Sequence, residues 1–171
     1  LLFTLTASHR LSQEALLAEY KLWDLQHSQV PQLSPAADYG HQRVRIGYVS
    51  CDLHAHPVSR FLEPLLRCHT ESAQVFVYAH IRSRDNTTKR LESLSPVWKE
   101  IQHLSDSDVA QLIRSDEIDV LVDLSGHTAY NRLGVFARRP APIQATYLGY
   151  FGPTGMKSID YWLTDTWLHP H

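Results

Sequence analysis

The residue types best suited to chemistry gather in one short run, Arg45 to Arg60, RIGYVSCDLHAHPVSR. Ser50, Cys51, Asp52, His54 and His56 fall within seven positions just ahead of Pro57. Proline is favoured in the first turn of a helix, where its missing N–H would have no partner anyway, so a helix is predicted to begin near Pro57. The free N–H groups that follow, with the positive end of the helix dipole, would face the place where the loop side chains gather. Such a place suits a phosphate or carboxylate, which points to an anionic ligand. His56, lying before a proline, is pushed to an extended backbone and can project its ring into the same place. The positive helix end favours the neutral imidazole, able to accept a proton. Asp52 can orient a partner or bind a hydroxyl. The plainer alternatives are a histidine that only caps the helix and an aspartate that only shapes a turn.

Two further segments carry polar or permissive residues. His127 follows Gly126, with Thr128 as a helix-cap candidate. The alternative there is an ordinary tight strand-to-helix turn. The loop Gly149-Tyr-Phe-Gly-Pro-Thr-Gly155 allows positive φ and close backbone approach. His54 and His56, with Asp52, Cys51 and His127, could supply ligands to zinc, but their spacing is not a strong zinc signature. Neither C-x-x-C nor H-E-x-x-H occurs. No metal is expected, and a metal-dependent hydrolase ranks last among the functions these residues allow.

The elements that must position these groups follow from periodicity. Ser12 can cap a helix over residues 13–27, in which Leu16, Tyr20, Trp23 and His27 share one face, chiefly a packing stripe. A polar linker over 28–42, broken by Pro31, Pro35 and Gly40, separates it from an alternation of strands and helices. Ile46, Tyr48 and Val49 mark a buried strand over 44–50, and the helix after it covers 56–68. Then come a strand at 74–80, a helix near 87–94, a weaker strand at 97–102 and a helix through Ser115 with a capping box at 105–108. VLVDL marks a fully buried strand over 119–124, with a helix from the Gly126–Thr128 loop to about Arg138. Strands at 143–148 and 160–164 complete the pattern. The fold class is therefore α/β, a Rossmann-like parallel sheet with helices on both faces, preceded by a helical segment and linker over 1–42. Right-handed crossovers place the loops after strands on one rim, where such folds bind ligands. The loops at 52–56, 126–128 and 149–155 all fall there.

Composition narrows the classes. At 171 residues the chain can bury a sizeable core, and one domain with a short appendage is expected. Charged residues make up 20% and the net charge is −2, which does not suit a nucleic-acid partner. Arg138 and Arg139 form the local basic pair, expected of a solvated helix end. Two cysteines make no disulfide framework and fit a reducing, cytoplasmic setting. No apolar run suits a membrane span, and the opening LLFTLTASHRL does not suit a signal peptide. His9, His41, His69, His80 and His103 are scattered and expected at surface or capping positions. There is no G-x-G-x-x-G after the first strand and no P-loop motif, so ordinary dinucleotide and P-loop chemistry are disfavoured. The missing initiator Met and the stop just after a strand suggest a piece of something longer.

Three segments, RVRIGYVSCDLHAHPVSRF, DVLVDLSGHTAYNRLGVFARRPAPIQATYLGYFGPTG and IDYWLTD, together resemble the catalytic region of the O-GlcNAc transferase and SPINDLY family. The resemblance covers roughly residues 43–165. GHTAYNRLG is closer to SPINDLY-like and bacterial members than to animal O-GlcNAc transferases. The resemblance implies a GT-B glycosyltransferase, with residues 43–171 as its Rossmann-like N-terminal lobe. That enzyme class passes a sugar, GlcNAc or fucose, from UDP-GlcNAc or GDP-fucose to Ser or Thr hydroxyls of proteins. It inverts the sugar centre and needs no cofactor. The resemblance implies His56 and Asp52 as catalytic residues, and Pro57, His127, Thr128, Gly149, Gly152 and Thr154 as substrate-binding residues. It also implies tetratricopeptide repeats upstream and a second, nucleotide-binding lobe that these residues lack. Tyr20 stands where the family often has a histidine, and Tyr150-Phe-Gly-Pro-Thr-Gly155 departs from the family's Y-P-G-T-S/T-G. The chain alone is expected neither to turn over nor to bind donor tightly. A non-catalytic interaction module that kept the lobe is the rival expectation.

Overall fold

The computed structural model describes residues 1–8, 11–34, 39–69, 71 and 73–167. Pro35 of the expected linker and His9 lie outside them. Six strands form one all-parallel sheet: β1 Val44–Ser50, β2 Ala73–Ala79, β3 Val97–Glu100, β4 Val120–Asp123, β5 Ile143–Tyr147 and β6 Tyr161–Leu163. Their spatial order is β3-β2-β1-β4-β5-β6, so the chain reverses direction of travel between β1 and β4. In register, Ser50 pairs with Ala79 on β2 and Val49 with Asp123 on β4, which brings the ends of β1, β2 and β4 to one rim. β-Branched and aromatic residues fill the central strands because both faces are covered. β2 is buried along nearly its whole length, while the edge strand β6 alternates exposed and half-buried.

Helix α1 spans Leu2–Ala7, α2 Gln13–His27, α3 Pro57–Cys68, α4 Asn86–Leu94, α5 Asp106–Ser115 and α6 Leu133–Ala137. α3 and α4 cover one face, packing Val58, Leu62, Leu66 and Leu91 on Val75, Val77 and Val122. α5 and α6 cover the other, packing Val109, Ile113, Leu133 and Phe136 on Phe76, Tyr78 and Leu121. Burial of this kind stabilises by roughly 25 cal/mol per Å² of apolar surface. The caps are local: Ser12, Asp85 and Ser105 side chains accept from the backbone N–H three residues on. The reciprocal capping box occurs at Asp85 and Thr88, not at Ser105, where Asp108 accepts from the serine hydroxyl.

Several expectations are corrected. The helix foreseen from Thr128 to Arg138 is only α6, which begins after Arg132 without a side-chain cap from it. Residues 125–131 form turns instead, because Thr128 Oγ1 donates to the Ser125 carbonyl and Asn131 Nδ2 to the Thr128 carbonyl. Those bonds compete with helical pairing. Arg139 is no solvated helix end: it binds Asp160, the Ser158 carbonyl and the Pro142 carbonyl. His41, expected at a surface or capping position, bridges Glu117 and Asp119. The opening residues form α1, whose Thr6 hydroxyl joins those of Tyr20 and Tyr150 in one cluster. Among the described residues no helix is long and apolar enough to cross a membrane.

Candidate active site

The rim at the β1/β4 reversal opens into a cleft of about 670 Å³. Asp52, His56, Arg82, His127, Thr128, Tyr130 and Gly149 stand on its wall, with Leu1 and Phe3 of the N-terminal segment. Open parallel sheets bind ligands at such a switch point, where diverging loops leave a crevice.

The loop after β1 is tied down by its own backbone. Asp52 N–H donates to Ser50 Oγ at 3.0 Å, and the Asp52 carbonyl accepts from Ser59 Oγ at 2.7 Å. The carboxylate is left on the cleft wall. His56 is extended (φ −137°, ψ 151°), as its place before proline dictates, and caps α3. Its Nδ1 accepts from Val58 N–H at 3.3 Å, and its carbonyl accepts from Ser59 N–H at 3.1 Å. The donors expected to stay free after Pro57 are thus already paired within the helix start. An anion in the cleft has to find positive charge elsewhere.

That charge is Arg82, on the loop after β2. Its guanidinium carbon lies 3.5 Å from the centre of the Tyr130 ring, a stacking geometry suited to a cation on a π face. Sequence spacing points to the β1, β4 and β5 loops alone; the β2 loop joins them because β2 ends level with β1.

The loop after β4 is built on Asp123, which is fully buried. Its Oδ1 accepts from Ser125 N–H, and its Oδ2 from Gly126 N–H and Thr146 Oγ1. Burial nevertheless pushes its carboxyl up to about 6, the three donors opposing. Asp123 was not foreseen as more than a strand residue. Gly126 has φ +53°, and a Cβ there would meet Tyr150 at 2.3 Å, so the turn that carries His127 admits only glycine without strain.

His127 sits among aromatic rings: Trp23 at 4.6 Å, Tyr20 at 5.4 Å and Tyr150 at 5.6 Å between centroids. Its Nε2 lies 2.7 Å from the Thr154 carbonyl. Burial holds its proton affinity below the usual histidine range, against the pull of that carbonyl. The packing stripe of α2 is therefore also the wall behind this side chain.

Of the eight residues singled out, five share the cleft: Asp52, His56, His127, Thr128 and Gly149. Pro57 opens α3 without standing on the wall. Gly152 faces a separate groove beside Tyr20, and Thr154 is buried with its hydroxyl turned toward Met156 N–H. Thr154 touches the site only through its carbonyl. Cys51 is buried with its thiol pushed up to about 11 by desolvation, which makes it a poor nucleophile. Among the described residues no three His, Cys, Asp or Glu side chains gather as metal ligands, and His56 Nδ1 is occupied by Val58.

Known proteins are similar to this chain in sequence and fold. A SPINDLY protein of Solanum lycopersicum, described as a probable UDP-N-acetylglucosamine–peptide N-acetylglucosaminyltransferase, is 37% identical over 160 residues, 91% of this chain and 16% of its own length. The UDP-N-acetylglucosamine–peptide N-acetylglucosaminyltransferase of Caenorhabditis elegans is 36% identical over 137 residues, 75% of this chain and 12% of its own. A mutant O-GlcNAc transferase of Thermobaculum terrenum superposes with a TM-score of 0.85 at 39% identity, over 91% of this chain and 31% of that one. The chain thus spans less than a third of the solved relative and a smaller share of the curated ones. The family model described as glycosyl transferase family 41 matches residues 2–171, so this chain belongs to glycosyl transferase family 41.

Proposed function

We propose that this chain is the N-terminal, Rossmann-like lobe of an inverting GT-B protein O-glycosyltransferase. The reaction moves GlcNAc or fucose from a nucleotide diphosphate sugar to a Ser or Thr hydroxyl. The observation that carries this reading is the convergence of Asp52, His56, His127, Thr128 and Gly149 on one cleft at the sheet's switch point. Such a transfer needs a proton taken from the acceptor hydroxyl as the glycosidic bond breaks, and charge stabilisation for the departing diphosphate. The cleft holds imidazoles for the first and Arg82 for the second. Acceptor proteins are drawn from the cytoplasm and selected by tetratricopeptide repeats upstream of this lobe.

The test uses the longest natural polypeptide that carries this chain, offered UDP- and GDP-sugars together with cell-extract proteins. Intact mass and glycopeptide mapping follow the transfer, beside a His56→Ala variant. Transfer to Ser or Thr that collapses in the variant supports the enzyme reading and names the donor. No transfer from any donor, with the fold intact by circular dichroism, would favour a non-catalytic module instead. The 171 residues alone are expected to show no turnover and no micromolar sugar-nucleotide affinity.

A further inference from the structure

The two cleft histidines share one tautomer and expose opposite ends of it. The Val58 N–H that meets His56 Nδ1 can only donate, so that nitrogen carries no proton and the remaining one is Nε2–H. The Thr154 carbonyl that meets His127 Nε2 can only accept, so that nitrogen carries the proton and Nδ1 is bare. His127 Nδ1 has no protein partner among the described residues. His127 lines the cleft, and with Nε2 committed to the Thr154 carbonyl, Nδ1 is the ring nitrogen left to serve it. The rings of Tyr20, Trp23 and Tyr150 hold the imidazole in place. His56 thus offers the cleft a donor, and His127 offers it an acceptor.

We infer that His127 takes the proton from the acceptor hydroxyl, and that His56 donates a hydrogen bond to a substrate oxygen instead of acting as the base. This rests on the glycosyl-transfer reading given above. In the step, the Ser or Thr oxygen forms its bond to the sugar C1 while the C1–O bond to the diphosphate breaks. The bonding electron pair leaves with the nucleoside diphosphate, and the hydroxyl proton passes to His127 Nδ1. The ring becomes an imidazolium whose Nε2–H stays on the Thr154 carbonyl, an acceptor that stabilises the charged form. The proton then leaves to water through the open cleft. Asp52 is the other acceptor on the wall, and the test must separate the two.

Imidazole ¹⁵N–¹H correlation spectra of the 171-residue chain read the tautomers without reference to activity. Both rings are expected as Nε2–H with bare Nδ1; a protonated Nδ1 on neutral His127 would overturn the assignment. Kinetics of the complete glycosyltransferase then compare His127→Gln, His56→Gln and Asp52→Asn. Glutamine keeps an N–H near Nε2 for the Thr154 carbonyl but offers no base. His127→Gln should lower kcat by roughly 10²–10⁴-fold, with the donor KM within threefold of wild type. His56→Gln, which keeps a donor near the Nε2 position, should lose activity too, but at least about tenfold less than His127→Gln loses. Near-wild-type kcat in His127→Gln, with collapse in Asp52→Asn, sinks the inference while leaving the glycosyl-transfer reading intact. A wild type that transfers no sugar sinks both, even where the tautomers are as expected.

Discussion

Gly149 approaches the Leu124 carbonyl so closely that a Cβ on it would lie 1.8 Å from that oxygen. The backbone leaving β5 and the backbone leaving β4 therefore pack directly on one another, beside the cleft wall on which Gly149 stands. Nothing flexible can yield, since the opposing atoms are main chain. Gly149→Ala should destabilise the fold by about 3 kcal/mol, the upper part of the range for overpacked sites. Urea denaturation measures the loss, and a change under 0.5 kcal/mol, roughly the scatter of neutral surface substitutions, would show that the two loops can separate.

Arg132 reaches from the start of α6 into the α5 side of the molecule. It is buried at 7% exposure, pairs with Asp106 at 2.6 Å and donates to the Ile101 and Leu104 carbonyls. Truncating it would leave two carbonyls and a carboxylate without their donor. Arg132→Ala should cost about 2–3 kcal/mol, chiefly from the carbonyl acceptors left without their donor, since the part-exposed Asp106 is rehydrated. Arg132→Lys restores charge but not the fork, and should recover less than half. Equal stabilities for the two variants in denaturant titrations would show that packing of the stem, not the fork, matters at this position.

The strands and long helices were legible because each signal is local. β-Branched runs, a serine cap at Ser12 and a proline at Pro57 place their elements within two residues of their ends, and the helix at 13–27 and the strand at 44–50 without any shift. α6 was not legible. A helix was expected to follow the Gly126–Thr128 loop directly, but Thr128 and Asn131 donate to neighbouring carbonyls and hold residues 125–131 in turns. The cleft was legible on three loops, while Arg82 was not, because its role depends on β2 ending level with β1. Thr154, which the resemblance implies as substrate-binding, meets His127 through its carbonyl, while its hydroxyl is turned to Met156 N–H.

Arg82 is the guanidinium on the cleft wall, held over Tyr130. A diphosphate leaving group would meet it across the opening, since the α3 amides are already paired. A charge-assisted contact contributes about 1.5–3 kcal/mol. On the proposed glycosyl-transfer reading, Arg82→Ala in the longer natural polypeptide should lower kcat/KM for the sugar nucleotide by roughly 10- to 100-fold. The loss should shrink as salt rises, because the wild-type contact alone is screened. A loss confined to acceptor KM would assign Arg82 to the acceptor path instead.

Asp123 gives the loop after β4 a pH dependence with a definite sign. Its carboxyl is raised by burial to about 6 in the folded state, above its ordinary value of 3.8. Between these values the folded protein holds the proton that the unfolded chain has released. Stability from this group is therefore complete below about 3.8 and is lost as pH rises through about 6. The loss is on the order of 3 kcal/mol if nothing relaxes. Asp123→Asn cannot ionise, but it gives up one acceptor among the Ser125, Gly126 and Thr146 donors, so it starts less stable at low pH. The gap between variant and wild type should then close, or reverse in favour of the variant, from pH 4.5 to pH 7.5 in urea titrations. A gap that stays constant would mean that those three donors keep the carboxylate ionised throughout, and that hydrogen bonding outweighs desolvation at this site.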